Sequence, residues 1–180
     1  MRYRRIVLLA ICLMGIGSCS IGRSPGMDDF QRRIAEAESA TMADNLEQAK
    51  AAYHAADEIA QQMKWPSGTV TARQALGDLA VIEKDYQRAE ESFLSAKDVC
   101  LSNRCVGLDV VYDRIMLFYL FQGTDIDKAE ALADEVSMNW RLMGGDRKEL
   151  VQKLFEYAGQ MRQAGFRTQG EKLQQRAQSL

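Results

Sequence analysis

Four cysteines and one histidine are the residues of this chain best suited to chemistry, and their spacing limits what they can do. They are Cys12, Cys19, Cys100, Cys105 and His54. A zinc centre takes about four Cys or His ligands, and a single histidine cannot complete such a set. A thiol redox centre wants Cys-x-x-Cys in a thioredoxin-like setting, whereas four residues separate Cys100 from Cys105. His54 follows Tyr53 on a polar-faced stretch and reads as a solvated surface residue. The paired acids Glu90 and Glu91, or Asp134 and Glu135, lie on helical faces where solvation explains them. No glycine-rich loop follows a strand, and Met143-Gly144-Gly145-Asp146 reads as a linker. With no nucleophile beside a base, the chain is expected not to be an enzyme and to need no cofactor or metal.

The elements around these residues are those of an ordinary globular domain. The chain has 180 residues, of which 47% are hydrophobic and 27% charged, and only two are proline. That is enough chain for one domain with a real core. Three of the 23 basic residues, Arg2, Arg4 and Arg5, lie in an apparent leader. The remaining 23 − 3 = 20 face 25 acids, a net charge of −5. A mildly acidic domain has no electrostatic footprint for nucleic acid.

The leader reads MRYRRIVLLAICLMGIGSCS. Its apolar run from Ile6 to Ile16 is too short to span a hydrocarbon core of about 30 Å, so it reads as a signal-peptide core. The arginine pair Arg4-Arg5 lacks the surroundings of a twin-arginine export signal. Ile16-Gly17-Ser18-Cys19 resembles the lipobox of bacterial lipoprotein precursors. The resemblance implies lipid attachment to the Cys19 sulfur, cleavage before it, and acylation of the new amino terminus. Small side chains at Gly17 and Ser18 suit a peptidase, and only the thiol can take the lipid. Several acyl chains anchor durably, because each buried CH₂ contributes about 0.8 kcal/mol. A plain secretory signal with an incidental cysteine is the alternative. Ser20 stands where aspartate would retain an enterobacterial lipoprotein at the inner membrane, which favours the outer membrane. The expected divisions are a signal peptide at 1–18, a lipidated polar tether at 19–27 and a folded domain at 28–180. With Cys19 lipidated in an envelope compartment, Cys100 and Cys105 are left as a candidate disulfide.

The folded domain is organised around Thr71–Cys100, TARQALGDLAVIEKDYQRAEESFLSAKDVC. Leu76, Gly77 and Ala80, then Ala89, Phe93 and Ala96, give a small-large-small spacing across two short helices and a turn. This resembles the tetratricopeptide repeat, a helix-turn-helix unit that stacks on its own copies. A 40-residue offset carries the pattern along the chain: Ala49, Ala89 and Ala129; Leu46, Tyr86, Ile126 and Phe166; Tyr53, Phe93, Ala133 and Leu173; Ala56, Ala96 and Val136. Asn45, Asp85 and Asp125 precede the second helices as candidate N-caps, with Gly165 in that place in the last unit. The expected helices are 28–43, 46–64, 69–83, 86–101, 108–122, 126–142, 147–164 and 167–178. The fold class is all-α, a tetratricopeptide-like solenoid of about four helix pairs. A helical bundle with a coincidental 40-residue match is the alternative.

In the repeat family, first helices line a concave groove that takes a peptide. Carried onto this sequence, the groove positions are Gln74, Asp78 and Val81, then Arg114, Phe118 and Phe121. The helix around Val110–Phe121 is apolar on nearly every side, which reads either as a helix buried between neighbours or as a hydrophobic seat. Trp65 and Trp140 fall at helix ends and read as packing residues. The implied function is a lipid-anchored periplasmic interaction module that holds a protein partner at the outer membrane. It would be an assembly factor, a pilotin-like escort or a scaffold for an envelope machine. The alternative is a glycan or lipid binder using the same groove.

Overall fold

The computed structural model describes residues 25–122, 125–140 and 144–180. The leader, Cys19 and the first part of the tether lie outside them. The described residues form eight α-helices and no strand: α1 Pro25–Met42, α2 Leu46–Gln62, α3 Pro66–Glu83, α4 Tyr86–Asn103, α5 Leu108–Phe121, α6 Ile126–Asn139, α7 Arg147–Gln163 and α8 Arg167–Ser179. No described helix is long and apolar enough to cross a membrane.

The expected all-α class holds, and six of the eight helices start where periodicity and capping residues put them. The other two, α1 and α3, start three residues early, each on a proline: Pro25 and Pro66. Both prolines lie just ahead of the helices expected at 28–43 and 69–83. At the first helical position the missing N–H is harmless and the fixed φ is already helical. Pro25, Gly26 and Met27 therefore belong to the folded part and not to the tether. The three sequence-read caps are formed. Asn45 Oδ1 accepts from Gln48 N at 3.3 Å, Asp85 Oδ1 from Arg88 N at 3.1 Å and Asp125 Oδ1 from Lys128 N at 3.1 Å. Asp146 adds a capping box, its carboxylate accepting from Glu149 N while Glu149 accepts from Asp146 N. Gly165 is not a cap but a left-handed turn residue, with φ +98°, and Phe166 takes the N-cap place.

The ends of α1, α2, α3 and α4 share one turn. Asp44, Lys64, Lys84 and Arg104, twenty residues apart each time, all have positive φ. After each, the next N–H returns to a carbonyl five residues back: Asn45 to Ala40, Trp65 to Ala60 and Asp85 to Ala80 at 2.9 Å, and Cys105 to Cys100 at 3.0 Å. This is the Schellman turn, which satisfies carbonyls that a helix end leaves unpaired. A helix and its turn thus take twenty residues, half the 40-residue offset of the sequence.

The chain divides into two compact units, residues 1–99 and 100–180, the division falling within α4. In the first unit α1, α2 and α3 share a core. Ala37 and Ala40 of α1, Ala49, Ala52 and Tyr53 of α2, and Leu79 of α3 form one cluster. Phe30, Ala56, Ala60 and Ala72 form another, with the Phe30 ring edge-on to Trp65 at 4.8 Å. The alanines matter because helices approach closely only where side chains are small. Arg73 ties three helices together, its guanidinium lying 3.3 Å from Asp57 of α2 and donating to Ser95 of α4 at 2.6 Å.

In the second unit α5 packs against α6 and α7, and α7 against α8. Its fully buried side chains include Tyr112, Ile115, Met116 and Leu120 of α5 with Leu154, Tyr157 and Met161 of α7. The repeat positions Ala49, Ala89, Ala129, Ala56, Ala96 and Val136 are completely buried, and Tyr53, Phe93, Ala133 and Leu173 are buried with them. Tyr86 departs from its register, being 39% exposed.

Candidate partner-binding surface

The candidate groove residues fall three in each unit, and their burial differs. Gln74, Val81 and Phe118 are buried, with 8%, 8% and 4% of their surface exposed. They pack inside and do not line an open seat, which corrects the expectation made for them. On α3 the cause is that both helix faces are used: Gly68, Thr69, Val70, Ala72, Leu79 and Ala80 are buried as well. Phe118 tilts against Tyr119 with ring centroids 5.5 Å apart. Asp78 and Arg114 are half-buried, and Phe121 is exposed.

Eight of the fourteen residues of α5 are buried, so most of its apolar surface is core. What the core leaves over is not scattered. Val110, Leu117 and Phe121 are 45%, 37% and 38% exposed. With half-buried Arg114 they stand at i, i+4, i+7 and i+11, a single stripe along one helix face. Val110 and Leu117 escaped the sequence reading because a helix apolar all round hides which residues the core will take. Arg114 and Phe121, expected as groove positions, fall on this stripe.

The opposite requirement, fixing α5 to its neighbours, is met by two hydrogen-bonded ties. Tyr112 donates to Glu135 of α6 at 3.0 Å and accepts from Asn139 Nδ2 at 3.0 Å. Asp113 accepts from Lys153 Nζ at 3.0 Å and from the Tyr157 hydroxyl at 2.9 Å, both on α7. Burial, then the Asp113 charge and hydrogen bond, hold the Tyr157 hydroxyl protonated far above its ordinary range. Burial alone would lower the pKa of Lys153, but its bonds to Asp113 and Glu156 outweigh that and raise it. Both shifts keep the Tyr157 and Lys153 protons in place near neutral pH, and the tie holds α5 against α7.

A cleft of about 880 Å³ opens in the second unit beside the start of α5. The Schellman turn after α4 (Arg104, Cys105, Val106) forms one side of it, with Trp140, Lys153 and Glu156 among the others. Trp140 is buried and donates from Nε1 to the Asp146 carbonyl at 2.9 Å, and Trp65 is half-buried on Phe30, so both serve packing. Cys100 and Cys105 are free thiols. Where a bridge was expected, Cys100 Sγ donates to the Cys105 carbonyl oxygen at 3.7 Å. His54 is exposed on α2. No cluster of three or more metal-ligating side chains occurs among the described residues. No protein-family model, curated protein or solved structure matches this chain.

Proposed function

We propose that this chain is a lipid-anchored envelope module of the tetratricopeptide-like kind, which holds a protein partner through an apolar segment laid along α5. The observation that carries the reading is the stripe Val110, Arg114, Leu117 and Phe121, whose apolar members stay exposed on a helix that is buried over eight of its fourteen residues. Apolar side chains aligned on one face of a rigid element are what an amphipathic or extended partner segment needs. The solenoid reading draws support from contacts of α1 with α3 and of α5 with α7, which are first-helix to first-helix contacts of successive hairpins. It draws further support from the ends of α1 to α4, which recur every twenty residues. Outer-membrane placement rests on Ile16-Gly17-Ser18-Cys19 and on Ser20 after it. The module would act as an assembly factor, escort or scaffold for an envelope machine.

The test is affinity capture of envelope proteins on the full-length lipidated chain and on a Leu117→Glu, Phe121→Glu double variant. Loss of a partner from the variant, with helicity unchanged, is expected. Capture undiminished by the two charges overturns the α5 assignment. A second reading, a small glycan or lipid ligand, is favoured by the cleft, whose 880 Å³ lies within the usual range for such sites. A co-purified small molecule in native mass spectrometry, with no protein partner, would decide for it.

A further inference from the structure

Cys100 and Cys105 occupy special places in the turn that ends α4. Arg104 is the left-handed residue, with φ +51°. Arg104 N–H returns to the Leu101 carbonyl at 3.3 Å and Cys105 N–H to the Cys100 carbonyl at 3.0 Å. In this turn the residue three places before the helix cap and the second residue beyond it bring their side chains into contact, normally as an apolar pair. The pairs in these places at the three earlier turns of the same form are Ala40 and Asn45, Ala60 and Trp65, and Ala80 and Asp85, each joined by the same backbone bond. Only at the fourth are both residues cysteine. The backbone bond holds the two residues within the reach that a disulfide requires, and Cys100 Sγ already contacts the Cys105 backbone.

We infer that the α4 turn is a reversible thiol–disulfide clip on the wall of the cleft, opened and closed by exchange with an external disulfide. Two features make it reversible where a longer cross-link would be permanent. The loop that it closes is short, with four residues between the cysteines, so it restrains the unfolded chain less than a long cross-link and folding strengthens the bond correspondingly less. One sulfur can also be reached. Cys105 is half-buried and lines the cleft, whereas Cys100 is buried.

Burial, then the neighbouring Cys105 thiol, push the Cys100 pKa up to about 12, which keeps its thiol protonated and makes Cys105 the first to react. The Cys105 thiolate attacks an external disulfide RSSR, forming Cys105–S–S–R and releasing one RS⁻. Cys100, giving up its proton to solvent, then attacks the Cys105 sulfur and expels the second RS⁻. The protein loses two hydrogens and the external disulfide becomes two thiols. Closure pins Arg104 to Gly107, which form that side of the cleft. The inference does not depend on what α5 binds.

Full-length protein equilibrated with graded mixtures of reduced and oxidised glutathione tests it. The expected result is a Cys100–Cys105 bond that forms and dissolves within the range of those mixtures, and several-fold slower amide exchange at 104–107 in the oxidised form. Cys100→Ser should stop at a Cys105–glutathione mixed disulfide, formed faster than any adduct on Cys100 in Cys105→Ser. The inference is overturned by free thiols or mixed disulfides alone in the wild type, by exchange at 104–107 that oxidation does not change, or by Cys100 reacting as fast as Cys105.

Discussion

The Phe93 ring of α4 lies against the backbone of Gly77 in α3, so closely that a Cβ built on Gly77 would stand 2.5 Å from the ring edge. Both residues are buried, Phe93 with 2% of its surface exposed. The pair explains why a glycine is kept in mid-helix despite its intrinsic cost of about 1 kcal/mol relative to alanine. Gly77→Ala should destabilise by about 1–3 kcal/mol, because the ring must move out of a close-packed interior. Phe93→Ala should cost about 3–5 kcal/mol by leaving a cavity. The double variant should lose clearly less than the sum, since the alanine methyl then enters vacated space. Urea denaturation of the four proteins checks this, and strict additivity would show that the two do not touch.

Four non-glycine residues occupy the left-handed turn position, and Lys84, with φ +63°, is one of them. An L-residue there crowds its Cβ against the following carbonyl by about 1–2 kcal/mol, which glycine avoids at some entropic expense. Lys84→Gly should therefore raise stability by about 0.5–1 kcal/mol, and Lys84→Val should lower it, the branched side chain fitting worst. Opposite shifts in melting temperature are the expected reading. A loss in Lys84→Gly would mean that the lysine side chain makes a contact worth more than the strain.

The recurring turn also shows what the sequence could and could not reveal. Asn45, Asp85 and Asp125 are legible because an N-cap is a local event, set by one side chain and the N–H groups just ahead of it. The turns at Asp44, Lys64, Lys84 and Arg104 were illegible because the usual signal, glycine, is missing. Pro25 and Pro66 misled for a related reason: proline breaks a helix everywhere except in its first turn. The candidate groove failed at Gln74, Val81 and Phe118 because exposure is a property of packing, and no local pattern says which face of a uniformly apolar helix its neighbours will cover. The Asp113–Lys153–Tyr157 tie was hidden by distance, its members lying 40 and 44 residues apart in sequence.

Phe118 and Phe121 should separate structure from binding. Phe118 is 4% exposed and Phe121 38%. Phe118→Ala should lower stability by about 3–5 kcal/mol through the cavity it leaves. Phe121→Ala, at an exposed site, should change stability by no more than about 1 kcal/mol. If the α5 stripe holds a partner, Phe121→Ala should nevertheless weaken capture most. Equal stability losses would place Phe121 in the core and remove it from the stripe.

The tie between α5 and α7 predicts how stability falls at high pH. Tyr157 is raised above its ordinary value of 10.0 by burial first and by the Asp113 charge next, and Lys153 is raised above 10.5 by its bonds to Asp113 and Glu156, against the effect of burial. A folded-state pKa above the unfolded one favours the protonated form in the native protein. Below pH 10 both states keep these protons and the stabilisation is present in full. As pH rises above 10 the unfolded chain releases them first, so stability is lost with increasing pH. In that window each such group steepens the loss by about 1.4 kcal/mol per pH unit. Tyr157→Phe removes one of them. At neutral pH the variant should be less stable by about 0.5–1.5 kcal/mol, the worth of the hydrogen bond to Asp113, which keeps Lys153 as a partner. Above pH 10 its stability should fall less steeply than that of the wild type, and the two curves should converge. Denaturant titrations at stepped alkaline pH measure both slopes. Parallel curves would mean that the Tyr157 hydroxyl ionises as freely in the folded protein as in the unfolded chain.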